Sequence, residues 1–232
     1  MHQFRPQFRL RSLFILTAIV AVVFWVGPPL RVCADAQAQG WRRGYGRINS
    51  PERVRVQLLG IDNVQEALNL TAEQKPELTK ITTAYGEEMQ GFTLRNLSQE
   101  ERIKKFAEAL EKGKAAWEKC EKILCSEQVE RVKQISRQAR GANALEDEDV
   151  KLALKLSDDQ NKQLETILEA AGQEMRGLFQ PDDAARKKAA EIQKSAGEKA
   201  LAVLSDEQKN EFEKLQGEKI ELPKGILFGL RR

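Results

Sequence analysis

The sequence predicts an all-α protein made of two tandem repeats of helical hairpins with short capped helices, extended rather than globular. Three observations predict it. First, Ala, Glu, Lys, Leu and Gln recur through a chain that is 31% charged and only 6% aromatic. Such side chains lose little freedom in a helix and cover its wet face. Second, Asn63–Phe92 aligns without a gap on Asp149–Leu178, at an offset of 86 and with twelve of 30 positions identical. Trp117–Ile135 aligns more weakly on Gly197–Leu215, at an offset of 80. Self-similarity at a fixed period marks a repeat architecture. Third, one short motif occurs four times: Leu70-Thr71-Ala72-Glu73-Gln74, Leu124-Cys125-Ser126-Glu127-Gln128, Leu156-Ser157-Asp158-Asp159-Gln160 and Leu204-Ser205-Asp206-Glu207-Gln208. No stretch alternates as a strand does.

The motif has a mechanical reading. The Thr71, Ser157 and Ser205 hydroxyls can accept from the exposed amides of a first helical turn. Gln74, Gln160 and Gln208 stand three residues on and can reach back, which makes a capping box. The acid before each Gln meets the positive end of the helix dipole. Cys125 replaces the hydroxyl with a weakly capping thiol, so its helix start is expected to be the least stable of the four. Four and seven residues after the glutamines come Leu78, Val132, Leu164 and Phe212, then Ile81, Ile135, Ile167 and Leu215. That is the spacing of one buried helix face.

The elements follow in order. Residues 51–141 form the first repeat and 142–223 the second. Ser50-Pro51-Glu52 opens a helix with Pro at its first position. A short helix starts at Asn63 in the first copy and at Asp149 in the second, each residue being read as the N-cap. The capped helices from Thr71 and Ser157 run to Gly91 and Gly177, and Pro76 can bend the first of them. Long helices run from about Ser98 to Leu124 and from about Pro181 to Leu204. The apolar stripe of the first is Ile103, Phe106, Leu110, Trp117, Cys120 and Leu124. A last capped helix begins at Ser126 and at Asp206. Gly141 and Ala142 mark the junction between copies. Residues 224–232 read as a tail without a helical pattern.

Residues 1–38 read as an export signal. Arg5, Arg9 and Arg11 precede an apolar run from Leu13 to Gly27, and A-x-A sites follow at Ala34 and Ala36. The alternative is an uncleaved inner-membrane anchor formed by residues 13–30, for which the run is short. Both readings leave the positive flank in the cytoplasm and place the rest in the periplasm or another extracytoplasmic space. Residues 39–50, which include Trp41, Arg42, Arg43, Tyr45 and Arg47, read as a flexible basic linker. The net charge of +3 therefore misleads. Without the four arginines of residues 1–34 the chain has 34 basic and 35 acidic residues, and residues 51–223 have 28 against 34. An acidic body has no electrostatic reason to hold a phosphate backbone, so no nucleic-acid partner is expected.

The only histidine is His2, inside the predicted signal. A mature chain then has no imidazole base, Ser–His pair or histidine metal ligand. No phosphate-cradling glycine loop occurs. The reading is therefore not an enzyme, with no cofactor and no metal. Glu88-Met89 and Glu174-Met175 recur in both copies and are the only metal-sensing candidates; the plainer reading makes the methionines core and the glutamates solvated. Cys120 and Cys125 could form a disulfide outside the cytoplasm if a turn separates them. The alternative is a buried thiol on the helix stripe and a substituted cap.

The motif Leu-[Ser/Thr]-x-[Glu/Asp]-Gln in an exported helical chain resembles the periplasmic LTXXQ-motif family, which includes the Spy-like chaperones, or secreted bacterial helical-repeat proteins related to it, over about residues 63–217. The resemblance implies a coiled-coil-like helical protein that shields protein or peptide clients without ATP, and a homodimer. This chain has four motifs where a Spy-like subunit shows two. Two alternatives stand beside a chaperone-like binding protein: a structural or scaffold module of the cell envelope, and a metal sensor. Exposed apolar side chains of the Leu78, Ile81, Leu164 and Ile167 class would favour client binding. Their burial would favour the scaffold.

Overall fold

The computed structural model describes residues 50–90, 92, 97–176, 178 and 183–222. The predicted signal or anchor, the linker up to residue 49, the tail, the helix ends at Gly91 and Gly177 and the helix start at Pro181 lie outside the described residues. The described chain is all-helical. Nine α-helices follow one another: α1 (Pro51–Leu58), α2 (Asp62–Ala67), α3 (Gln74–Gln90), α4 (Gln99–Glu121), α5 (Ser126–Arg140), α6 (Glu148–Leu154), α7 (Asp158–Arg176), α8 (Asp183–Ala202) and α9 (Asp206–Gln216). A 3-10 segment, Gly141–Glu146, joins α5 to α6. There is no strand among the described residues, and no helix among them is long and apolar enough to cross a membrane.

Local chemistry sets the boundaries. Ser50 caps α1, its hydroxyl accepting from Arg53 N–H at 3.4 Å, and Pro51 stands in the first turn where its missing N–H costs nothing. Ser98 and Glu101 form a full capping box at the start of α4. The expected caps Asn63 and Asp149 are corrected: both lie inside the first turn, one residue past the helix start, and the capping positions are Ile61 and Asp147. Two other bonds use these side chains instead. Asn63 Nδ2 donates to Glu221 O, and Asp149 accepts from Arg137.

Helices α2 and α6 end alike. Asn69 and Lys155 adopt positive φ, 49° and 50°. The next residue, Leu70 or Leu156, donates its N–H back to Gln65 O or Lys151 O. This six-to-one bond is a Schellman closure, which satisfies the last carbonyls and turns the chain toward the next helix. Pro76 does not act as a bend in mid-helix. It lacks the N–H that would bond Ala72 O, so regular helix begins at Gln74 in α3 but at Asp158, two positions earlier by the offset, in α7.

Two apolar clusters hold the helices together. The first gathers Val54, Val56, Leu58, Leu59, Val64, Leu68, Leu78, Trp117, Cys120, Val132 and Ile135 among others. The second gathers Ala144, Leu145, Val150, Leu154, Leu164, Ala200, Leu204 and Phe212. Many members are paired by the sequence offsets, such as Leu59 with Leu145, Val64 with Val150, Leu78 with Leu164, and Val132 with Phe212. The correspondence fails at Trp117, which the offset pairs with Gly197. The indole is buried with the Arg55 guanidinium 5.5 Å above its ring. Burial lowers the pKa of Arg55, so this cation is held largely out of water against an aromatic face. After α9 the chain does not stop at the second cluster. Residues 217–222 run back without helix, and Ile220 and Leu222 pack against the first cluster.

Candidate functional site

The four glutamines of the motif meet in pairs. In the first pair, Gln74 Oε1 accepts from Thr71 N–H at 3.0 Å, and Gln74 N–H donates to Thr71 Oγ1 at 3.2 Å. Gln128 Oε1 accepts from Cys125 N–H at 3.0 Å. The two side-chain amides then bond each other: Gln74 Nε2 donates to Gln128 Oε1 at 2.9 Å, and Gln128 Nε2 donates to Gln74 Oε1 at 3.1 Å. Each remaining amide hydrogen goes to the end of the opposite hairpin's incoming helix, from Gln74 to Ile123 O at 2.9 Å and from Gln128 to Leu68 O at 3.2 Å.

A primary amide has two donors and two acceptor lone pairs. Every one of these eight is used in the Gln74–Gln128 ring. The ring therefore closes two helix starts and two helix ends at once, and it links the α2–α3 corner to the α4–α5 corner.

The second pair repeats the bonding. Ser157 and Ser205 cap Gln160 and Gln208 N–H, each at 3.2 Å, and their own amides donate to the Gln160 and Gln208 Oε1 atoms at 3.1 and 2.9 Å. The amides pair at 2.7 and 3.1 Å. Gln160 Nε2 reaches Val203 O at 3.0 Å, and Gln208 Nε2 reaches Leu154 O at 3.1 Å. Donors and acceptors correspond to those of the first ring at offsets of 86 and 80, except that Cys125 makes no side-chain cap bond where Ser205 Oγ accepts from Gln208 N–H. Sequence reasoning assigned these glutamines to capping alone. The pairing was signalled by Gln standing in all four motifs while the capping residue varied as Thr, Cys, Ser and Ser.

Arginines on α5 tie the two halves, and the sequence did not mark them. Arg137, buried, donates to Glu130 at 3.1 Å, to Leu215 O at the end of α9 at 2.9 Å, and to Asp149 of α6 at 2.7 Å. Burial alone raises the Asp149 carboxyl. The hydrogen bond and charge of Arg137 outweigh it and hold the group below its ordinary value. Arg140, also buried, pairs with the buried Asp147 and donates to Asn143 O at 3.0 Å.

The cysteine bridge is not formed. Both thiols are free: Cys120 is buried in the first cluster and Cys125 is exposed at the turn. Burial, helped by Glu121, pushes the Cys120 thiol up to about 11, which leaves it an apolar core residue. Among the described residues no three His, Cys, Asp or Glu side chains gather as a metal site. Glu88 faces Lys112 at 3.4 Å, and Met89 packs on the first cluster.

Open grooves flank the hairpins. One of about 390 Å³ lies between α1 and α3, lined by Arg53, Val56, Gln57, Thr82, Tyr85 and Met89 among others. Its counterpart at an offset of 86, about 290 Å³, is lined by Ala139, Ala142, Asn143, Leu168, Ala171 and Met175. At matching offset positions the side chains differ: Arg53, Thr82 and Tyr85 in the first groove stand where Ala139, Leu168 and Ala171 line the second. Leu78 and Leu164 are buried, while Ile81 and Ile167 are half-buried and packed on the two clusters. The exposed large apolar residues among those described are Leu152, 76% exposed, and Leu201, 37% exposed. The sequence offsets match these two positions with Glu66 and Glu121. Comparison with known protein families, characterised proteins and solved structures finds no match to the chain.

Proposed function

We propose that the chain is a non-enzymatic helical interaction module of the scaffold type, exported and acting outside the cytoplasm. Duplication of one clasped hairpin pair would have produced its tandem halves. The observation that carries this reading is where the apolar stripe goes. Leu78 and Leu164 are buried, and Ile81 and Ile167 pack on the two clusters. A holdase needs apolar surface free to cover clients, and among the described residues Leu152 and Leu201 offer little of it. The clasp points the same way. A ring with every polar site filled rigidifies a hairpin corner, which suits a spacer or platform better than a yielding cradle. The resemblance to the LTXXQ-motif family supports export and a helical role, and the scaffold reading departs from its chaperone branch.

The experiment is aggregation of a model client with purified residues 39–232 at near-stoichiometric ratios. A scaffold leaves the aggregation curve unchanged. Clear suppression at equimolar protein would overturn the scaffold reading in favour of client binding.

A further inference from the structure

We propose that the recess on the first half that holds residues 217–222 is a binding site for extended peptides, filled in cis by the chain's own C-terminal strap. The ligand class is a peptide with aliphatic side chains two residues apart and polar residues between and before them. This inference is independent of the scaffold reading.

The strap is held as a peptide ligand is held. Helix α9 ends at Gly217, whose φ of 63° turns the chain out of the helix. The segment that follows is gripped chiefly through its main chain. Gln138 of α5 donates through Nε2 to Gln216 O at 2.6 Å and to Glu218 O at 2.7 Å, and its Oε1 accepts from Ile220 N–H at 3.2 Å. Asn63 of α2 donates to Glu221 O. Ile220 and Leu222 turn toward the first cluster while Lys219 and Glu221 stay exposed. Main-chain bonds combined with recesses for alternate side chains are the physics by which proteins take up extended peptides.

The strap is also separable. It follows the second half in sequence but packs on the first, so its release uncovers no part of the second cluster. Neither aliphatic side chain is fully buried. The second half has no equivalent site. Asp149 stands at the position of Asn63 and is engaged by Arg137, and the offset of 80 places Glu218, itself in the strap, where Gln138 would be.

The test uses a fluorescent peptide of the sequence Gly217 to Lys224 and the full chain. A tethered strap competes at an effective concentration of about millimolar, so wild type should bind the peptide poorly. The double variant Ile220→Asp with Leu222→Asp expels the strap and should bind the peptide at least about tenfold more tightly. Adding Gln138→Ala to it should abolish that gain. A peptide carrying the same two aspartates should not bind. The proposal is overturned if the helical, cooperatively melting double variant binds no more tightly than wild type, or if the aspartate peptide binds equally. Should the double variant fail to fold, Gln138→Ala alone in the full chain decides. Amide exchange at Ile220 must then rise well above wild type, and unchanged protection there overturns the proposal.

Discussion

Gln74 and Gln128, 54 residues apart, share two amide hydrogen bonds of 2.9 and 3.1 Å, and each closes a helix end that belongs to the other's hairpin. A residue that looks like a local cap is thus the long-range bond of the fold. Gln128→Ala should cost about 2 to 4 kcal/mol, because it strands Leu68 O, the Cys125 amide and half of the Gln74 amide. In a cycle with Gln74→Ala the double variant should fall short of the summed losses by about 1 to 3 kcal/mol, as both break one ring. Denaturant melts of the four proteins measure this, and strict additivity would refute the ring. Gln160→Glu places a carboxylate oxygen against Val203 O. It should destabilise at pH 7 and recover in part once acid returns an O–H donor.

Lys155 holds φ at 50°, a conformation that an unbranched charged side chain adopts at a cost of about 1 kcal/mol. Lys155→Gly should stabilise by about that amount in thermal melts. Asn69→Gly at the matching position should gain less, since Asn tolerates the region.

Two glycines should respond in opposite directions. Gly113 lies inside α4, and an added Cβ would meet Tyr85 Oη at 3.5 Å and Arg53 N at 3.7 Å, both ordinary contacts. Gly113→Ala should therefore stabilise by about 0.5 to 1 kcal/mol through helix propensity. At Gly217 φ is 63°, and an added Cβ would overlap Gln134 Oε1 and lie 2.6 Å from its Cδ. Gly217→Ala should destabilise by about 1 to 2 kcal/mol.

The Arg137–Asp149 pair makes the junction acid-sensitive. The Asp149 carboxyl is depressed in the folded chain, so its contribution is present above its unfolded value of about 4 and lost as pH falls through the lower folded value. Asp149→Asn should lower Tm relative to wild type at pH 7, and the gap should close below about pH 4. A gap independent of pH would show that the pair does not couple to folding.

The thiols should differ in reactivity. Cys120 is buried with its pKa raised to about 11, and Cys125 is exposed. Native alkylation at pH 8 followed by peptide mapping should modify Cys125 and leave Cys120 until the chain is unfolded. Equal labelling of both would contradict the burial of α4.

The sequence by itself determined the all-helical fold, the capped starts at Ser50 and Ser205, and the inward residues Leu78, Val132, Leu164 and Phe212. Those are local or periodic properties, fixed by side chains within one turn of each other. The caps assigned to Asn63 and Asp149 failed because both side chains had distant partners, Glu221 O and Arg137, that no local pattern announces. Only the tertiary structure decided that the glutamines pair across hairpins, that Arg137 joins the halves, and that residues 217–222 return to the first. Each of these bonds joins residues far apart in the chain or in another half. Several of their partners are main-chain groups that every residue carries alike, such as Leu68 O, Leu215 O and Glu218 O, and the rest are side chains that no local pattern places together, so position in space selects them.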